Sequence, residues 1–179
     1  EELPKSIKRK NNSILLSMGG SDKYNITKKI IISFSKSNYD FNLVVVLGKF
    51  YDDEKNLLKI INNDKRFHII KSTSSLTSLM QQASIGIVTF GITVYEAAIC
   101  RLPLFVISHS NENDLAAKSL EKFGWISYVG KYDKIPYDTI PNTVFNLLKN
   151  KRKLQTMKQA CLQIDGLGPL RVSKHIEKL

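Results

Sequence analysis

The chain has 179 residues, 42% of them hydrophobic, a mean hydropathy of -0.17 and a formal charge of +11. This length and balance fit one soluble globular domain with a real core. No apolar run approaches a membrane span, and no long apolar run follows the basic start as in a signal peptide. Cys100 and Cys161 lie far apart and form no metal or redox motif, so a reducing cytoplasm is the expected setting.

Residues 1–12 are polar and basic, with Pro4, and read as a linker or incoming tail; 13–179 is then the domain. SILLSM (13–18) is the first strand, and Asn25 is placed to cap a helix whose face carries Ile26, Ile30, Ile31 and Phe34. NLVVVL (42–47) is the second strand, followed by a helix marked by Leu57, Leu58 and Ile61. FHII (67–70) is the third, and Leu76, Leu79, Met80 and Ala83 form the face of the next helix. SIGIVTF (84–90) leads through Gly91 into a helix carrying Glu96, then LFVI (104–107), a helix over 112–123 ended by Gly124, and WISYV (125–129). Ile140, Val144, Leu147 and Leu148 mark one more helix, Leu154, Met157 and Cys161 another, and a last short one begins near Pro169.

Six apolar strands alternating with helices predict an α/β fold: a doubly wound, mostly parallel six-stranded sheet of Rossmann-like type. Such a sheet binds ligands beyond the carboxyl ends of its strands, where strand order reverses. The loops after the first and fourth strands carry glycine and should meet there.

Two segments carry candidate chemistry. Gly19-Gly20-Ser21-Asp22 joins strand to helix, either as a turn pressed against a ligand or as a turn that needs positive φ. It lacks the GxGxxG spacing, and the second strand ends in Leu47-Gly48-Lys49 without the acid expected for an NAD ribose. Gly91, Ile92 and Thr93 stand at a helix start, where free N–H groups and the dipole suit a phosphate. Glu96 follows within the expected first turn, placed either to accept two adjacent sugar hydroxyls or simply to favour the helix.

The loop 108–114 holds His109, Asn113 and Asp114, with Asn111 or Asn113 available to cap the next helix. His109 is the one histidine in a cleft-facing loop and a candidate for a general base; His68 and His175 read as structural or surface residues. No metal cluster, Ser-His-Asp order or P-loop lysine is visible, and no cofactor is expected. The basic residues are scattered, with local groups at Lys8-Arg9-Lys10 and at Lys149, Lys151, Arg152 and Lys153. Without interleaved aromatics or a helix-turn-helix pattern, they read as a solvated surface with no specific nucleic-acid partner.

FGITVYEAA, CRLP and NEND, in that order, together with SILLSMGGSDKYNITKKII before them and QIDGLGPLRVSKHI after, resemble the C-terminal half of GT-B-type UDP-sugar enzymes. The similarity is to the UDP-2,4-diacetamido-2,4,6-trideoxy-β-L-altropyranose hydrolase and spore coat polysaccharide protein G family. Phe90 and Arg101 stand where that family has glycine, Ile92 where it has a small hydroxyl residue, and Asp114 where it has glutamine. The resemblance implies a UDP-sugar-binding half of an enzyme that hydrolyses a UDP-linked amino sugar in surface polysaccharide or nonulosonic acid synthesis. It implies nucleotide contacts from Gly19, Gly20, Ser21, Gly91, Ile92, Thr93 and Glu96, with the backbone at Ile70 near the base and Asn113 and Asp114 near the sugar. The family's catalytic histidine comes from a separate N-terminal domain, so this chain alone is expected to be inactive. The other readings are the matching half of a UDP-sugar glycosyltransferase, and a non-catalytic nucleotide-binding domain.

Overall fold

The structure, a computed structural model, describes residues 12–71 and 76–178. Its strands are β1 (Ser13–Ser17), β2 (Asn42–Leu47), β3 (Phe67–Lys71), β4 (Ile85–Thr89), β5 (Leu104–Ser108) and β6 (Ile126–Lys131). They form one sheet in the order β3-β2-β1-β4-β5-β6, and every pair is parallel, so the sheet is wholly rather than mostly parallel. The intervening helices are α1 (Ile26–Ser35), α2 (Glu54–Ile61), α3 (Thr77–Gln82), α4 (Ile92–Ile99) and α5 (Asn111–Glu121). After β6 come α6 (Ile140–Lys149), α7 (Lys151–Ala160) and α8 (Gly168–Ile176), with 3-10 turns at Tyr137–Thr139 and Cys161–Gln163.

Central strands buried on both faces must be apolar throughout, and β5, Leu-Phe-Val-Ile-Ser, is buried at every position. The alternation splits them between two cores. Ile14, Leu16, Ile87 and Phe105 pack under α1, α2 and α6; Leu15, Val88, Leu104 and Val106 pack under α3, α4 and α5. The helices before and after the β1–β4 pair therefore lie on opposite faces, and the strand order reverses at that pair. Truncating a side chain such as Leu16 to alanine there costs about 2–5 kcal/mol, the range for a buried large-to-small change. No helix among the described residues is long and apolar enough to cross a membrane, and Cys100 and Cys161 are both buried.

Several expected boundaries and caps are corrected. Asn25 sits at the cap position of α1 but in the left-handed region at φ 52, and its side chain does not cap. Asp22 does: its carboxylate accepts from the N–H of Ile26 at 2.9 Å and of Thr27 at 2.7 Å. Helix α5 runs over Asn111–Glu121 rather than 112–123, and its cap is Ser110, whose hydroxyl accepts from Asn113 N–H, so neither Asn111 nor Asn113 caps it. Helix α4 begins at Ile92, which puts Glu96 in its second turn and not its first. Arg101 holds φ 52 in the turn between α4 and β5. A non-glycine residue costs about 1–2 kcal/mol in that region, which accounts for glycine at this turn in the family the chain resembles. Of the expected tail over residues 1–12, residues 1–11 lie outside the described residues.

Candidate functional site

The loops after β1 and β4 meet at the reversal point and line an open cavity of about 420 Å³. Gly19, Gly20, Ser21, Asp22, Lys23 and Tyr24 form one wall, Thr89, Phe90, Gly91 and Thr93 the other, and His109 reaches in from the loop after β5. Gly19 takes φ +84, and a Cβ built on it would lie 3.7 Å from the Thr89 hydroxyl, so the two loops sit edge to edge. Gly48, after β2, backs this wall. A Cβ there would fall well inside contact distance of the Gly19 and Gly20 backbone, and Phe50 N–H donates to Gly20 O at 2.9 Å.

Two helices point their N-termini at the cavity, and they are not equivalent. The first N–H groups of α1 are occupied by the Asp22 carboxylate. At α4 no side chain caps the helix; the cap residue Gly91 is extended at φ 171, and Val94 N–H donates to Gly91 O at 3.1 Å. The N–H groups of Ile92 and Thr93 have no acceptor among the described residues. The N-terminus of α4, beside the Thr93 hydroxyl, is thus the one fitted to an anionic group. Adding a Cβ at Gly91 meets nothing within 4 Å, so the space in front of this helix is open.

Burial raises the Asp22 carboxyl above its ordinary value, while its hydrogen bonds to Thr27 and Ile26 and the charge of Lys29 pull it down. A carboxyl raised in the folded state holds its proton more tightly there than in the unfolded chain. Its contribution is full below the unfolded value near 4 and is lost as pH rises through the folded value. Asp22→Asn cannot titrate, so the wild type should lose stability relative to this variant as pH is raised from about 3 to neutrality. Urea unfolding of both proteins across that range measures the difference; a constant difference would show that Asp22 titrates alike in both states.

The remaining expected site residues are more dispersed. Glu96 is exposed, one turn beyond Thr93 on α4, a spacing that puts the two side chains on one face. The Ile92 side chain is 79% exposed and points away from the core. Ile70 lies on the edge strand β3, which pairs with β2, and is not among the residues lining the cavity. The Asn113 amide nitrogen lies 3.4 and 3.3 Å from the two ring nitrogens of His109. Asp114 accepts from Tyr128 OH and, at 2.7 Å, from Lys118, outside the cavity lining.

Sequence reasoning missed Tyr24, whose ring lines the cavity, stacks on Tyr132 at 3.9 Å and stands 6.5 Å from the His109 ring. It also missed the support given by Gly48, although a glycine directly after a strand was a visible signal. Among the described residues, no group of three or more His, Cys, Asp or Glu could hold a metal ion.

No protein-family model matches the chain. It is 36% identical over 115 residues to the uncharacterized protein MJ1062 of Methanocaldococcus jannaschii, covering 63% of this chain and 24% of that protein. It is 24% identical over 177 residues to the spore coat polysaccharide biosynthesis protein SpsG of Bacillus subtilis, covering 97% of this chain and 52% of that one. The chain therefore spans between a quarter and a half of these relatives. Among solved structures, MurG of Acinetobacter baumannii superposes with a TM-score of 0.79 at 14% identity, over 95% of this chain and 50% of that one. The calicheamicin glycosyltransferase CalG4 gives 0.65 at 15% identity, over 99% and 43%. A structure assigned as a UDP-N-acetylglucosamine 2-epimerase of Listeria monocytogenes gives 0.69 at 17%, over 97% and 46%. The fold is that of one half of a GT-B-type protein.

Proposed function

We propose that this chain is the nucleotide-sugar-binding half of a GT-B-type enzyme that hydrolyses a UDP-linked amino sugar in surface polysaccharide synthesis. The observation that carries this reading is the uncapped N-terminus of α4, opening on the cavity where the loops after β1 and β4 meet. The diphosphate sits against the N–H groups of Ile92 and Thr93, where the dipole favours negative charge and stabilises UDP as a leaving group. Glu96, one turn on, accepts the two ribose hydroxyls, and His109 with Asn113 borders the sugar. The printed descriptions of the relatives support it: one serves spore coat polysaccharide synthesis, and one fold neighbour carries a UDP-sugar in its name.

A second reading, glycosyl transfer to an acceptor, draws on the superposition with MurG and the calicheamicin glycosyltransferase. Acceptor-dependent UDP release by the complete enzyme separates transfer from hydrolysis.

The binding reading is tested by thermal unfolding with UDP. A ligand at a hundredfold excess over its dissociation constant stabilises by about 2.7 kcal/mol, a rise of roughly 5–10 °C for a chain of this size. A clear shift with NAD and none with millimolar UDP overturns it. Glu96→Ala should weaken UDP by about 1.5–3 kcal/mol, the range for hydrogen bonds to a charged group. Its melting temperature should hold, because an exposed change on a helix surface stays within about 0.5 kcal/mol. Unchanged UDP affinity in the folded variant removes Glu96 from the site.

A further inference from the structure

We propose that Tyr128 is a positioning residue for the cavity's His109–Asn113 edge, holding both ends of the loop between β5 and α5 through one hydrogen-bond chain. The proposal rests on the reading of the crevice as a nucleotide-sugar site.

Ser108 ends β5 and is fully buried, with its Oγ 2.7 Å from the Tyr128 hydroxyl. The same hydroxyl reaches the Asp114 carboxylate in the first turn of α5. The directions of these bonds follow from proton count. Asp114, held below the ordinary carboxylate range by Lys118 and Tyr128, is ionised at neutral pH and can only accept. Tyr128 must give it its single proton. Ser108 then donates to the Tyr128 oxygen, which satisfies a hydroxyl that burial would otherwise leave unpaired. Lys118 completes the chain from the far side at 2.7 Å.

One phenolic oxygen therefore ties residue 108 and residue 114, and the segment between them carries His109 and Asn113. The end of β6 and the residue after it add two further ties: Tyr132 N–H donates to Ser108 O at 2.9 Å, and the Lys131 ammonium donates to Asn111 Oδ1 at 3.0 Å. The arrangement separates two residues that the resemblance put together near the sugar. The Asn113 amide faces the His109 ring, which lines the cavity; Asp114 faces Tyr128 and Lys118. Sugar contact then belongs to His109 and Asn113, and Asp114 acts through Tyr128.

The experiment is a double-mutant cycle on the whole chain, with Y128F, D114A and Y128F/D114A. The ring signals of His109 and the side-chain amide signals of Asn113 are followed by NMR, and UDP is titrated into the same samples. Each single variant should displace both sets of signals, and the double should displace them no further than the larger single, as expected for partners in one network. UDP affinity should fall roughly three- to fivefold in each single and no further in the double. Wild-type His109 and Asn113 signals in Y128F, or effects that add, overturn the proposal. If Y128F loses its fold through the unpaired Ser108 hydroxyl, S108A/Y128F removes both partners and poses the same test. Signal coupling without any UDP binding in the wild type would sink the nucleotide-sugar reading and leave the clamp standing; UDP binding without coupling would do the reverse.

Discussion

Gly48→Ala is expected to destabilise the chain by about 3 kcal/mol, the upper part of the usual cost of overpacking, and to lower its melting temperature by roughly 6–12 °C. The added methyl group would collide with the carbonyl oxygens of Gly19 and Gly20 and with the Gly20 Cα. These are backbone atoms at the end of a central strand, so no side chain can swing aside. Relief requires the β1–α1 loop or the β2–α2 loop to move, and the first of these is a wall of the cavity. UDP affinity should therefore fall on the order of tenfold, about 1.4 kcal/mol, in whatever fraction still folds. Gly91→Ala is the matching control. Its Cβ meets nothing within 4 Å and its extended backbone suits any residue, so its melting temperature should stay at the wild-type value within about 0.5 kcal/mol. A Gly48→Ala protein that melts and binds like the wild type would mean that the two loops are not in close contact in solution.

The strands and helices were legible because their signals are local. SILLS, LFVIS and IGIVT are short apolar runs between turn residues, and Ile26, Ile30, Ile31 and Phe34 repeat at helical spacing. The meeting of the loops after β1 and β4 followed from the doubly wound pattern. The caps were not legible. Asn25 and Asp22 are both good capping residues, and the choice between them depends on a left-handed backbone at both positions, φ 52 and φ 42, which aims the Asp22 carboxylate along α1. Ser110, in extended backbone, displaced Asn111 and Asn113 as the cap of α5 for a different reason: the helix starts one residue earlier than its apolar pattern suggests. Gly48 against Gly19, and Tyr128 against Ser108 and Asp114, close over tens of residues and leave no periodicity in the chain. The resemblance to a known family pointed to Gly91 and Thr93, which the structure places at the start of α4. It offered Asn113 and Asp114 together as sugar contacts; their side chains have different partners, His109 for Asn113 and Tyr128 with Lys118 for Asp114.

The 179-residue chain on its own is expected to bind a UDP-sugar without releasing UDP from it. Attack of water on the anomeric carbon needs a general base within hydrogen-bond reach, a contribution of roughly 10²–10⁴-fold in rate. His109 is the histidine that lines the cavity. Its polar neighbour, the Asn113 amide nitrogen, is 3.4 and 3.3 Å from the two ring nitrogens, so it lies across the ring and does not bond in line with one of them. No carboxylate among the described residues hydrogen-bonds to that ring, so no acidic partner sets its tautomer as a base requires. The cavity is also open, and water in it weakens every electrostatic interaction with the departing diphosphate. A covering wall would have to come from elsewhere, and SpsG, of which this chain covers 52%, is about twice as long. Release of UDP from UDP-N-acetylglucosamine is the measurement, made on this chain alone and on a longer protein that contains it. The chain alone should give the buffer rate within error, and His109→Ala should leave that rate where it is. Robust turnover by the chain, abolished in His109→Ala, would place the general base in this half and show that the crevice needs no second wall.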